Sequence, residues 1–122
     1  MKSINDTYQL SNGLEMPCLG FGTYNPGGGD TKEMVLNAIK AGYRYFDTAS
    51  LYETERALGQ AIKESGIDRA EFFVASKVWI DEMGYDETKQ AFERTLHSAA
   101  GLLSKPTNPG CSAAGSIRCI LN

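Results

Sequence analysis

Three times between Leu19 and Leu96 a short apolar run is followed by a longer stretch whose apolar residues recur at helical spacing. No other feature constrains the fold as strongly. The first unit is Leu19-Gly20-Phe21-Gly22, then a helix capped by Asp30 with Met34, Val35, Ala38 and Ile39 on one face and Gly42 as its stop. The second is Tyr43-Arg44-Tyr45-Phe46, then a helix burying Ala57, Leu58, Ala61 and Ile62 and ending at Gly66. The third is Phe72-Phe73-Val74-Ala75, a continuous apolar run of the kind buried on both sides, then a helix from about Asp86 that buries Ala91, Phe92 and Leu96. Ahead of them, Tyr8-Gln9-Leu10 and Leu14-Glu15-Met16 flank Ser11-Asn12-Gly13, the pattern of a hairpin whose turn needs positive φ. Strand–helix alternation predicts a parallel sheet with right-handed crossovers. A closed barrel needs eight such units and typically ~250 residues. The expected fold is α/β: a hairpin plus three units of an incomplete barrel.

The composition changes near residue 100. All 12 aromatic residues lie between Tyr8 and Phe92, and all 15 acidic residues lie at or before Glu93. Beyond Gly101 the only charges are Lys105 and Arg118, and Pro106 and Pro109 interrupt any period. This predicts a partial domain over residues 1–97 and an irregular, disordered tail over 98–122. The formal net charge of -3 argues against nucleic acid as a partner, because phosphate binding needs clustered Lys and Arg. No apolar run approaches the ~20 residues of a membrane span, and the N-terminus lacks the pattern of a signal peptide, so a cytoplasmic location is expected. Cys18, Cys111 and Cys119 match no zinc spacing and read as free thiols; no metal site is expected. Gly27-Gly28-Gly29 reads as a loop rather than a phosphate cradle.

Asp47, Tyr52 and Lys77 carry the chemistry that the pattern allows. Asp47 directly follows a strand, Lys77 ends one, and Tyr52 sits in a strand-to-helix loop. In parallel α/β folds the carboxyl ends of strands and the loops leaving them form the active site. Asp47 and Lys77 on neighbouring strands can pair, and a lysine cation beside a phenol lowers its pKa from ~10 toward neutral pH. Such a phenol can protonate a carbonyl oxygen as hydride reaches the carbon. The plainer alternative is that Asp47 caps a turn, Tyr52 is a surface aromatic and Lys77 is solvated. Spacing alone leaves both readings open.

The surrounding segments bear on that choice. Asn12-Gly13-Leu14-Glu15-Met16-Pro17, Gly20-Phe21-Gly22-Thr23-Tyr24, Ala41-Gly42-Tyr43-Arg44-Tyr45-Phe46-Asp47-Thr48-Ala49, Tyr52-Glu53-Thr54-Glu55-Arg56-Ala57-Leu58-Gly59 and Ser76-Lys77-Val78-Trp79 resemble the aldo-keto reductase superfamily, in order, over about residues 7–96. Within it the chain is similar to bacterial members of the diketogluconate and aldehyde reductase kind. The resemblance implies a (β/α)8 (TIM) barrel and NADPH-dependent reduction of aldehydes or ketones to alcohols. It implies Tyr52 as general acid, Lys77 as the group that tunes it and Asp47 as the group that holds Lys77. It implies Gly22, Thr23 and Asp47 at the cofactor, and Tyr24 and Trp79 lining the pocket for a small carbonyl substrate. Glu55 is read as structural. The family's fourth catalytic residue, a histidine at the end of the next strand, has no match, and the role does not carry to His97. The basic residues that hold the cofactor's 2'-phosphate have no match either. The chain is therefore expected to be a truncated member whose activity is impaired or lost. Two rival readings are a non-catalytic fragment that self-associates through its open sheet edge, and an unstable fragment without function.

Overall fold

A computed structural model describes residues 2–49, 54–98 and 117–121 of the chain. It opens with an antiparallel hairpin of β1 (Thr7–Gln9) and β2 (Glu15–Pro17), in the register Thr7↔Pro17 to Gln9↔Glu15. Leu10 N–H donates to Leu14 C=O at 2.7 Å, and Gly13 takes φ +81°, the conformation that the Asn-Gly pair foretold. Three strand–helix units follow: β3 (Gly20–Gly22) with α1 (Thr31–Lys40), β4 (Tyr45–Asp47) with α2 (Glu55–Glu64), and β5 (Phe73–Val78) with α3 (Tyr85–Ser98). Asp30 caps α1 by accepting from Glu33 N–H at 3.1 Å.

The strands form one parallel sheet in the order β3-β4-β5-β6, where β6 is Ile117–Leu121. Among the described residues this sheet is open, with β3 and β6 at its edges. The sequence reading placed no strand in the tail. β6 nonetheless pairs with β5 from Val74↔Ile117 to Val78↔Leu121. The edge of β5 offers unpaired backbone groups, and an isoleucine-containing segment can satisfy them. This is long-range pairing, which no local period announces. The remainder of the tail lies outside the described residues.

Alternation along the strands gives the sheet two faces. One packs on the helices: Phe46 and Val74 join Val35, Ala38 and Ile39 of α1, and Leu58, Ala61 and Ile62 of α2, in a buried core that also takes in Phe72. Full burial of a side chain the size of Val, Leu or Phe contributes about 1.5–3 kcal/mol, so this layer accounts for most of the cohesion of α1 and α2 on the sheet. The opposite face carries Tyr45 and Asp47 from β4 and Phe73, Ala75 and Lys77 from β5. Tyr45 and Phe73 meet edge to face with ring centroids 5.1 Å apart. Helix packing therefore fixes one face of the sheet and leaves the other free to hold polar groups at the carboxyl ends of the strands.

Candidate active site

Asp47 ends β4 and Lys77 is the penultimate residue of β5. Asp47 is level with Ala75 in the parallel register, which puts Lys77 two residues further along on the same face. The Lys77 ammonium forms an ion pair with Asp47 Oδ1 and also donates to Thr48 C=O at 3.3 Å. The lysine side chain is 19% exposed and that of the aspartate 41%. Lys77 is thus the more enclosed partner, held by two oxygens on the loop leaving β4, and the carboxylate keeps an open side.

Gly22 lies level with Asp47 across β3 and β4, and a Cβ built there meets nothing within 4 Å. The backbone beside the carboxylate is therefore clear. Thr23 stands differently. It is wholly buried; its N–H donates to Asp47 C=O at 2.9 Å and its hydroxyl donates to the same oxygen at 3.2 Å. It braces the Asp47 backbone from beneath. Tyr24 (63% exposed) and Trp79 (42% exposed) flank the strand ends, next to Thr23 and Val78 in the chain, and are not packed into the core. Tyr52 lies outside the described residues.

Two features of this region were not legible in the sequence. The first is a run of buried hydroxyls. Thr23 and Thr54 share a hydrogen bond of 3.0 Å, and Thr48 and Thr54 share one of 3.2 Å. Each hydroxyl has one proton. Because Thr23 gives its proton to Asp47 C=O, Thr54 must donate to Thr23 and Thr48 to Thr54. The run is directional and ends on the backbone of Asp47. A threonine immediately before a helix reads as a cap, yet Thr54, at the N-cap of α2, makes no side-chain capping bond. The second feature is Tyr45. Burial, and then the Asp47 carboxylate, push its phenol above the ordinary 10.0, while Lys77 acts the other way. A phenol so perturbed is a poor proton donor near neutral pH.

Away from this end a hollow of about 590 Å³ lies where the hairpin meets the opposite ends of β4 and β5, lined by residues such as Leu14, Arg44, Glu71 and Phe73. None of the site residues borders it, and Arg44 there is engaged with Ile39 and Tyr43 C=O. Among the described residues no group of His, Cys, Asp and Glu could hold a metal ion, and no helix is long and apolar enough to cross a membrane.

The arrangement can be set beside known proteins. The glyoxal reductase of Bacillus subtilis (strain 168) is 47% identical over 95 residues, which is 77% of this chain and 34% of that protein. The 9,11-endoperoxide prostaglandin H2 reductase of Trypanosoma cruzi is 47% identical over 87 residues, 70% of this chain and 31% of that protein. The chain thus spans about a third of the length of these curated relatives. The crystal structure of an aldo/keto reductase from Brucella melitensis superposes with a TM-score of 0.73 at 38% identity, over 78% of this chain and 37% of that one. The architecture is accordingly the hairpin and three strand–helix units of a (β/α)8 barrel, incomplete in this chain. The family model described as "Aldo/keto reductase family" matches residues 18–102. The chain belongs to the aldo/keto reductase family.

Proposed function

We propose that the site at the ends of β4 and β5 belongs to an NADPH-dependent reductase of small aldehydes or ketones. The observation that carries this reading is the half-buried Lys77 held by Asp47 and by Thr48 C=O at the carboxyl end of a parallel sheet. A lysine fixed in this way is a standing positive charge, available to stabilise a phenolate. Tyr52, matched through the resemblance, donates its phenolic proton to the substrate oxygen. Lys77 stabilises the anion that remains, and Asp47 holds Lys77 in place. The open strip at Gly22, with Thr23 and Asp47 beside it, would hold the cofactor, and Tyr24 and Trp79 would border the substrate. When bound, NADPH supplies the hydride. Glycerol 2-dehydrogenase (NADP(+)) of Saccharomyces cerevisiae, 40% identical over 87 residues, supports that choice of cofactor. The cytoplasmic location expected from the sequence is part of the proposal.

The test is loss of NADPH absorbance by the purified chain with a panel of small aldehydes. Turnover that falls by about 10²–10⁴ in Tyr52→Phe supports the reading, the range typical of a lost general acid. Turnover is expected to be weak or lost in this chain, so a chain that neither turns over nor binds NADPH in a fluorescence titration is the result that sinks it.

One observation favours a second reading, in which the chain associates with its own copies. Among the described residues β3 pairs only with β4, which leaves Gly20–Gly22 with an open side. Light scattering on a sizing column separates the two: a discrete dimer supports association through that edge, and a monomer at all concentrations refutes it.

A further inference from the structure

Glu55, read from the sequence as merely structural, is the first residue of α2 and is only 7% exposed. A carboxylate is rarely enclosed without partners that satisfy it. Here a single oxygen, Oε1, accepts from Ser76 Oγ at 2.9 Å and from Thr95 Oγ1 at 3.1 Å. One atom therefore ties α2 to β5 and to α3. Ser76 is the residue before Lys77, and strand alternation turns Ser76 toward the helices while Lys77 turns toward Asp47. Holding Ser76 thus fixes the twist and height of β5 where Lys77 leaves it.

The residue before Glu55 makes a matching connection on the other strand. Thr54 is bonded to Thr48, which directly follows Asp47, and to Thr23, which is bonded to Asp47 C=O. Two consecutive residues at the start of α2 thereby reach the immediate neighbours of both members of the charged pair. Apolar packing would hold helix on sheet as firmly; directional hydrogen bonds fix angle and register as well.

We propose that Glu55 is a positioning residue for the Lys77–Asp47 pair, acting through Ser76 and Thr95, with Thr54 as its counterpart on the Asp47 side. The purpose of this anchor rests on the reductase reading above; the anchor itself can be tested without turnover. The readout is the side-chain ammonium resonance of Lys77 in ¹⁵N spectra of the full chain, assigned by its loss in Lys77→Met. That resonance is visible when hydrogen bonds slow proton exchange. Glu55→Gln retains a carbonyl oxygen for both hydroxyl donors and is expected to keep the signal. Glu55→Ala and Ser76→Ala are expected to lose it. Leu58→Ala, on the same helix and wholly buried, loosens α2 without touching the anchor and is expected to keep it.

A signal unchanged in Glu55→Ala, with helical circular dichroism intact, overturns the proposal. So does its loss in Leu58→Ala, or its absence from wild type. If Glu55→Ala does not fold, Ser76→Ala decides by the same criterion. Turnover is measured on the same samples. If wild type turns over, kcat in Glu55→Ala is expected to fall about 10- to 100-fold, as for a small misplacement of a catalytic group, with recovery in Glu55→Gln. If wild type neither turns over nor binds NADPH, the reductase reading fails while the ammonium signal still decides the anchor.

Discussion

Gly20 and Gly22 lie two residues apart on the same face of β3, and replacing each with alanine is expected to have opposite consequences. Neither has positive φ, so alanine is not strained at either backbone position. At Gly20 the new Cβ would sit 2.7 Å from Tyr45 Cδ1 and 2.9 Å from Cε1. The ring cannot retreat freely, because Phe73 packs edge to face against it at 5.1 Å. Overpacking of this kind costs about 1–3 kcal/mol. Removing a strand glycine returns about 0.5–1 kcal/mol. The net loss for Gly20→Ala is therefore about 0–2.5 kcal/mol. At Gly22 the Cβ meets nothing, so only the gain remains, about 0.5–1 kcal/mol. The two single substitutions should differ by about 1–3 kcal/mol, or about 5 °C or more in Tm for a chain of this size. Thermal unfolding followed by circular dichroism measures this directly. Under the proposed function the order reverses for cofactor: Gly22→Ala narrows the strip beside Asp47 and weakens NADPH binding by fluorescence titration, while Gly20→Ala does not. Equal stability of the two variants would refute the packing argument, and unchanged NADPH affinity in Gly22→Ala would refute the placement of the cofactor.

Other perturbations follow from the same geometry. Lys77→Met and Asp47→Asn should each lower turnover by about 10²-fold or more, and Asp47→Asn should also abolish the slow-exchanging ammonium signal of Lys77. Phe46→Ala removes a wholly buried ring that meets Phe21 and Phe72 at centroid distances of 6.0 and 6.2 Å, and should cost about 3–5 kcal/mol in denaturant unfolding. Asp30→Ala removes the cap of α1 and should cost about 1 kcal/mol. The raised Tyr45 phenol keeps its proton in the folded chain to higher pH than in the unfolded chain. The unfolded state therefore binds fewer protons just above the ordinary 10.0, and stability falls as pH rises through that range. Tyr45→Phe should flatten this fall in pH-dependent melting, and an unchanged slope would count against it.

The sequence by itself determined the element order, because local rules act there. Asn12-Gly13 makes the hairpin turn, Asp30 caps α1, Gly42 and Gly66 take φ +104° and +71° after helices, and apolar period separates strand from helix. It also picked out Asp47 and Lys77, since a charge at the end of an apolar strand needs a partner. Tertiary structure decided what those rules do not see. Register between β4 and β5 brings Lys77 to Asp47 across 30 positions of chain, and burial sets the Thr23 hydroxyl against the Asp47 backbone. Hydroxyls at 23, 48, 54, 76 and 95 become one buried polar layer around Glu55 and the Asp47 backbone only after three strands and two helices have met. β6 depends on the free edge of β5, which no residue of the tail encodes locally. The physical reason is the same throughout. Turns and caps are settled within a few residues, whereas ion pairs, buried hydrogen bonds and edge pairing gain their free energy only from groups brought together by the fold.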